Sequence, residues 1–200
     1  MTSINLDRDT LELALRSLAI RLADNKSHPI GIVVCGGSAL ILTGLIPRTT
    51  RDVDVVALIR DGNLCSPAPL PADLLKACDE VAEDLGLAKN WLNNGPSKDD
   101  GGLFQMGLPS GFAERLHSSS FGPILSVYFI DRLDQIFFKL YAAVDRGGYH
   151  ITDLQALAPS PDEIETAARW AMTHDVSDDF AMVLKSLLRN LDYGNVADRL

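Results

Sequence analysis

The chain has 200 residues and a formal net charge of −9, with 46% apolar and 6% aromatic residues. That length suits one large domain or a domain with a small appendage, and the apolar fraction supports a substantial, mostly aliphatic core. The acidic balance argues against extended, non-specific contact with a phosphate backbone, while leaving room for a small local basic site.

The three cysteines, Cys35, Cys65 and Cys78, form no Cys-x-x-Cys pair. They read as small buried hydrophobes in a reducing cytoplasm rather than as a redox or zinc site. No apolar stretch approaches the ~20 residues of a membrane span. Met1 to Arg8 is polar, without a signal-peptide core. A cytoplasmic protein with no membrane partner is expected.

In chain order, Leu11, Leu15, Leu18 and Leu22 recur at helical spacing and predict an amphipathic helix over 9–24, stopped before Pro29. Ile30 to Cys35 is an apolar, β-branched run of the kind found in strands buried on both faces. Gly36 and Gly37 break it, and Ser38 to Leu45 resembles a short helix. Arg51 to Ile59 predicts a second strand in which Asp52 and Asp54 point one way and Val53 and Val55 the other. A turn-rich connection follows, then a helix with Leu74, Cys78, Val81 and Leu85 on one stripe and Gly86 as its stop.

The stretch 93–102 is polar and predicts a mobile loop; Phe104 to Leu108 and Ile124 to Ile130 are strand candidates. Asp131 to Arg146 predicts a helix that buries Leu133, Phe137, Leu140 and Val144, closed by Gly147 and Gly148. Ser160-Pro161-Asp162-Glu163 is a capping-box start with proline at the first helical position, and helices are expected over 161–173 and 178–191. The expected fold class is α/β (α+β): a mixed α/β domain over 1–150 and a helical region over 151–200.

The segment that carries chemistry is Cys35-Gly36-Gly37-Ser38, thirteen residues, then Asp52-Val53-Asp54-Val55. Glycines let a backbone turn sharply and approach a ligand. Amides at such a turn favour phosphate oxygens, and Ser38 adds a hydroxyl. Two aspartates at i and i+2 of one strand share a face, and their oxygens suit hard divalent cations such as Mg2+. A phosphate cradle beside a magnesium site is the minimum for phosphoryl or nucleotidyl transfer.

This pattern resembles the nucleotidyltransferase superfamily, whose signature is a hydrophobic residue, Gly, Gly or Ser, a spacer, then Asp-hydrophobic-Asp/Glu. The longer string Arg48-x-Thr50-x-Asp52-Val53-Asp54 looks like bacterial nucleotidyltransferase-like proteins related to AbiEii-type toxins, the toxin halves of two-gene toxin–antitoxin systems. Asp134 and Lys139 fit a later Asp-x-x-x-x-Lys element of that group, Asp153-Leu154 fits its Asp-Leu, and the Trp91-Leu92-Asn93 triplet is similar to one in uncharacterised members. The likeness covers roughly residues 30–157.

The resemblance implies a nucleotidyltransferase-type mixed sheet flanked by helices. It implies Asp52 and Asp54 as magnesium ligands and catalytic residues, and Gly36, Gly37 and Ser38 at the β- or γ-phosphate. Arg48 and Thr50 would orient the loop or contact phosphate. Lys139 would bind the triphosphate, and Asp153 would position Lys139 or the acceptor. The implied partners are a nucleoside triphosphate, an acceptor hydroxyl on tRNA, a protein or a small molecule, and an antitoxin protein. Active members add a third carboxylate from a neighbouring strand; Ile124 to Ile130 contains none, and Asp131 at its end is the nearest candidate.

Blander readings stand beside these. Lys139 also reads as a solvated helix lysine, Asp134 as a surface residue, Asp153 as the cap of a helix starting at Leu154, Arg48 as half of an ion pair, and Trp91, Phe137 and Tyr141 as core. The four histidines show no metal-ligand spacing. Three functions remain: a magnesium-dependent nucleotidyltransferase, an inactive nucleotide-binding or partner-binding module of the same fold, and a toxin–antitoxin component whose function depends on a cognate partner.

Overall fold

The structure is a computed structural model that describes residues 5–200; the first four residues of the polar N-terminal stretch lie outside the described residues. The chain divides into two compact units, Met1–Ile130 and Asp131–Leu200. The sequence predicts a boundary at 150. The helix at Arg132–Arg146 goes instead with the C-terminal unit, because it packs on the helices that follow it in sequence.

Unit 1 is built on a mixed sheet. In chain order it contains α1 (Arg8–Asp24), β1 (Ile30–Cys35), α2 (Gly36–Leu42), β2 (Val53–Arg60), β3 (Asn63–Cys65) and α3 (Ala72–Leu85), then β4 (Leu92–Asn93), α4 (Leu103–Met106), β5 (His117–Ser120) and β6 (Leu125–Phe129). The strands run in the order β3-β2-β1-β6-β5, with β4 beside the start of β2. β1 is antiparallel to β2 and parallel to β6. One sheet face presents Ile32, Val34, Val53, Val55, Leu58, Leu125, Val127 and Phe129 to the buried leucines of α1 and to Leu74, Ala77, Cys78 and Val81 of α3. That burial is the main favourable term for this unit, on the order of 1.5–3 kcal/mol for each fully buried large side chain.

One irregularity decides what the other face carries. The β1–β2 register runs Ile32↔Leu58 and Val33↔Ala57, then Val34↔Val55 and Cys35↔Asp54, leaving Val56 as an extra residue on β2. Strand side chains alternate, so one inserted residue reverses the parity of everything beyond it. Val53 and Val55 thereby join Leu58 in the core, and Asp54 falls in line with Cys35. Without the bulge, Asp54 would share the face of Leu58.

Three local expectations are corrected. Residues 103–106 form helical α4, not a strand; it is tied down by Phe104 N and Gln105 Nε2, which donate to Ser97 Oγ and Ser97 O at 3.2 and 2.9 Å. The polar 93–102 stretch contains a 3-10 turn at Gly95–Ser97, and Ser97 is fully buried. β2 begins at Val53 rather than Arg51. Thr50 bridges Leu6 through backbone bonds of 2.7 and 2.9 Å, which holds residues 50–52 out of the sheet.

Unit 2 is helical: α5 (Arg132–Arg146), α6 (Tyr149–Ala156), α7 (Pro161–His174), α8 (Asp178–Asn190) and α9 (Gly194–Ala197). The expected capping box opens α7, with Ser160 and Glu163 each accepting from the other's backbone N–H. Arg132 fastens the start of α5. Its guanidinium donates to the carbonyls of Leu157 and Ala158 and meets Glu163 Oε1 at 2.7 Å. No helix among the described residues is long and apolar enough to cross a membrane.

Candidate functional site

The end of β1 and the start of β2 form the candidate site in unit 1. Gly36 adopts φ +67°, a left-handed conformation that glycine tolerates best. A Cβ placed on it would stand 3.0 Å from Asp54 Oδ2, so the carboxylate lies directly against the turn. A Cβ on Gly37 would stand 2.9 Å from Thr50 Oγ1 and 3.7 Å from Arg48 Cζ. A side chain at either glycine would press on a neighbour, Asp54 at Gly36 and Thr50 at Gly37.

Thr50 links the second aspartate to this group. Its hydroxyl lies 3.3 Å from Asp52 O and 3.5 Å from Asp52 Oδ1. Asp52 and Asp54 are both half-buried, and Asp52 precedes the strand instead of lying within it. Arg48 is half-buried, and its Nε donates to Thr49 O at 3.1 Å. Gly36, Gly37, Arg48, Thr50, Asp52 and Asp54 are thus brought together.

Ser38 is placed differently from a phosphate-facing hydroxyl: it is 1% exposed and its Oγ donates to Cys35 O at 3.3 Å. In this arrangement it secures the turn from within.

Two residues escaped the sequence reading. Asn93 on β4 pairs in register with Asp54, and its Oδ1 accepts from Gly95 N at 2.7 Å. The Trp91-Leu92-Asn93 triplet was the only hint of it. Trp91 is core: fully buried, with Nε1 donating to Cys78 O at 3.0 Å. Ser97, fully buried, donates its hydroxyl to Val56 O at 2.9 Å, at the bulge. Nothing in the spacing of the sequence pointed to it.

In unit 2, Lys139 and Asp153 form a group of their own. Both are 4% exposed, and Lys139 Nζ lies 2.7 Å from Asp153 Oδ2 and 5.5 Å from the centre of the Tyr149 ring. The solvated-lysine reading is corrected by that burial. Asp153 lies inside α6 and is no helix cap. Asp134, read as a surface residue, is fully buried: every residue from Asp134 to Leu140 is buried, so α5 presents no solvated face over those turns. Asp131 caps α5, its Oδ1 accepting from Leu133 N at 2.8 Å.

Among the described residues no group of three or more His, Cys, Asp or Glu side chains is arranged to hold a metal ion. Magnesium does not require one. It is commonly held by one or two carboxylates together with water and substrate phosphates. Two half-buried carboxylates beside a turn whose side chains are absent fit that donor set. The cysteines are all free thiols, and burial pushes the Cys78 thiol up to about 12.

A mixed α/β sheet with a double-glycine turn after its central strand, and an Asp-x-Asp pair entering the antiparallel neighbour, defines a nucleotidyltransferase-type domain. A family model described as a nucleotidyltransferase of unknown function, DUF6036, matches residues 13–158, and the chain belongs to that family. No curated protein and no solved structure matches the chain.

Proposed function

We propose that this protein transfers a nucleoside monophosphate from a nucleoside triphosphate to a hydroxyl acceptor, in a magnesium-dependent reaction. The observation that carries the reading is the packing of the Asp54 carboxylate against Gly36, with Asp52 joined to the same turn through Thr50. Membership of a nucleotidyltransferase family supports it.

In the proposed reaction the acceptor hydroxyl oxygen bonds to the α-phosphorus, the bond to the pyrophosphate oxygen breaks, and the hydroxyl proton is released. Magnesium, when bound, neutralises charge on the triphosphate. Asp52 and Asp54 would hold it. Gly36 and Gly37 let Asp54 and Thr50 come close to the turn, and Arg48 supplies positive charge beside Gly37. The resemblance assigns Lys139 to the triphosphate and Asp153 to holding Lys139; the 2.7 Å ion pair supports the second of these roles alone. The acceptor class is a tRNA, a protein or a small molecule. The relationship to AbiEii-type toxins, and a cytoplasmic role beside an antitoxin partner, form the outer part of the proposal and rest on the Arg-x-Thr-x-Asp-Val-Asp string.

The decisive experiment incubates the protein with α-labelled nucleoside triphosphates, Mg2+ and pools of tRNA, protein and small-molecule acceptors. Label transfer by the wild type, lost in Asp54→Asn, is expected. A second reading, a nucleotide-binding module without turnover, is favoured by one observation: Asp131, the third-carboxylate candidate of the sequence, is engaged in capping α5. Thermal stabilisation by Mg2+ and nucleotide with no transfer to any acceptor would select it.

A further inference from the structure

We infer that Ser97 is a positioning residue for the Asp52–Asp54 site, acting through the β-bulge at Val56. The inference rests on the nucleotide-binding reading above and adds a residue that no motif contains.

A bulge leaves one residue of a strand outside the ladder, and the groups it strands need other partners when buried. Val56 is that residue, and it is fully buried. Its carbonyl accepts from Ser97 Oγ at 2.9 Å. The same Ser97 oxygen accepts from Phe104 N at 3.2 Å, and Ser97 O accepts from Gln105 Nε2 at 2.9 Å. Gln105 Nε2 reaches Ser66 Oγ at 3.4 Å, and Asn94 Nδ2 donates to Pro67 O at 2.9 Å. The segment after β4 is thus fastened to the bulge and to the connection after β3.

The space around Ser97 is equally constrained. A Cβ on Gly102 would lie 2.6 Å from Ser97 Cα, so only glycine lets the chain close over the serine. This closure fixes a side chain with no freedom to turn elsewhere. Its hydroxyl stabilises the one backbone irregularity that aims Asp54 at Gly36 and keeps Val55 in the core. Removing the hydroxyl leaves the Val56 carbonyl and the Phe104 amide without their buried partner, a loss that falls on the bulge before it falls on the fold.

The test compares wild type, Ser97→Ala and Val81→Ala, the last a core truncation on α3 that removes none of the hydrogen bonds at the bulge. Two readouts are taken: Mn2+ and ATP titrated together by calorimetry, and amide hydrogen exchange of residues 55–57. Ser97→Ala is expected to weaken Mn2+–ATP binding about tenfold, the scale of one lost buried hydrogen bond, and to speed exchange at residues 55–57. Val81→Ala is expected to melt earlier while keeping wild-type affinity. Unchanged affinity in Ser97→Ala, unchanged exchange at 55–57, or an equal affinity loss in Val81→Ala overturns the inference. A wild type that binds no Mn2+–ATP overturns the functional reading and this inference with it; binding in wild type with an indifferent Ser97→Ala overturns this inference alone.

Discussion

The Asp54 carboxylate fills the space that a side chain at Gly36 would need, with Oδ2 3.0 Å from the position of a Cβ there. A hard oxygen donor and the left-handed turn at Gly36 are therefore a single structural feature, and a change to either disturbs both.

Gly36→Ala tests that coupling. Alanine at φ +67° carries roughly 1–2 kcal/mol of backbone strain and displaces the carboxylate. The expected result is a lower melting temperature together with loss of nucleotide-linked stabilisation. A variant that melts like wild type and responds fully to Mg2+ and ATP would contradict the close packing described here.

Asp52→Asn and Asp54→Asn remove charge without changing shape. If each carboxylate contributes to a metal–nucleotide site, ligand-linked stabilisation, about 2.7 kcal/mol at a hundredfold excess over the dissociation constant, falls sharply in both. Thermal shift over a Mg2+–ATP series checks this. A full shift in both variants would exclude the pair as ligands.

Lys139→Met removes the ammonium group that faces the Asp153 carboxylate, which is only 4% exposed. Breaking a buried ion pair from one side costs about 3–5 kcal/mol, whereas replacing both partners by apolar residues is close to neutral. Urea denaturation should therefore find Lys139→Met strongly destabilised and Lys139→Met/Asp153→Leu largely restored. Equal stability of the single variant and wild type would show that the pair does not exist in solution.

Arg132 beside Glu163 holds that carboxyl below its usual range, with smaller help from the Ser160 backbone. A depressed folded-state value means the stabilisation is present above the ordinary glutamate range and is lost as pH falls through the lower, folded value. Glu163→Gln should cost about 1 kcal/mol near neutrality, with the gap to wild type closing as the medium is acidified below pH ~4. Denaturation midpoints across pH give the comparison; a gap that widens on acidification reverses the sign and refutes the pairing.

Cys78, 2% exposed and with its thiol pushed up to about 12, is expected to resist alkylation in the folded state at pH ~8. Half-buried Cys65 is the site where reagent should enter first. Mass spectrometry of the peptides after a short iodoacetamide pulse measures both.

Elements with a strong period or a chemical start signal were legible from the sequence. The leucine stripe gave α1, the apolar run β1, Gly86 the left-handed end of α3, and Ser160 to Glu163 the capping box of α7. What was hidden depends on tertiary context. The four residues of β5 are all exposed and read His-Ser-Ser-Ser, so no alternation marks them as a strand. The burial of Asp134 and the pairing of Lys139 with Asp153 depend on neighbours in space. At the site, the glycines and aspartates were visible as a motif. The displacement of Asp52 from the strand, the inward turn of Ser38 and the Ser97 contact were not, because each depends on a backbone partner distant in the chain or on local bending.

The extra residue in β2 makes the chemistry of this protein sensitive to residue count as well as residue identity. Inserting one residue between Asp54 and Val55 would remove no charge and no hydrogen-bonding side chain, yet strict alternation would carry Asp54 into the leucine-rich layer beneath α1 and α3 and bring Val53 out beside the glycines. A frameshift of one position within a strand would thus trade a charged mouth for a charged interior, which no conservative substitution at that position would do.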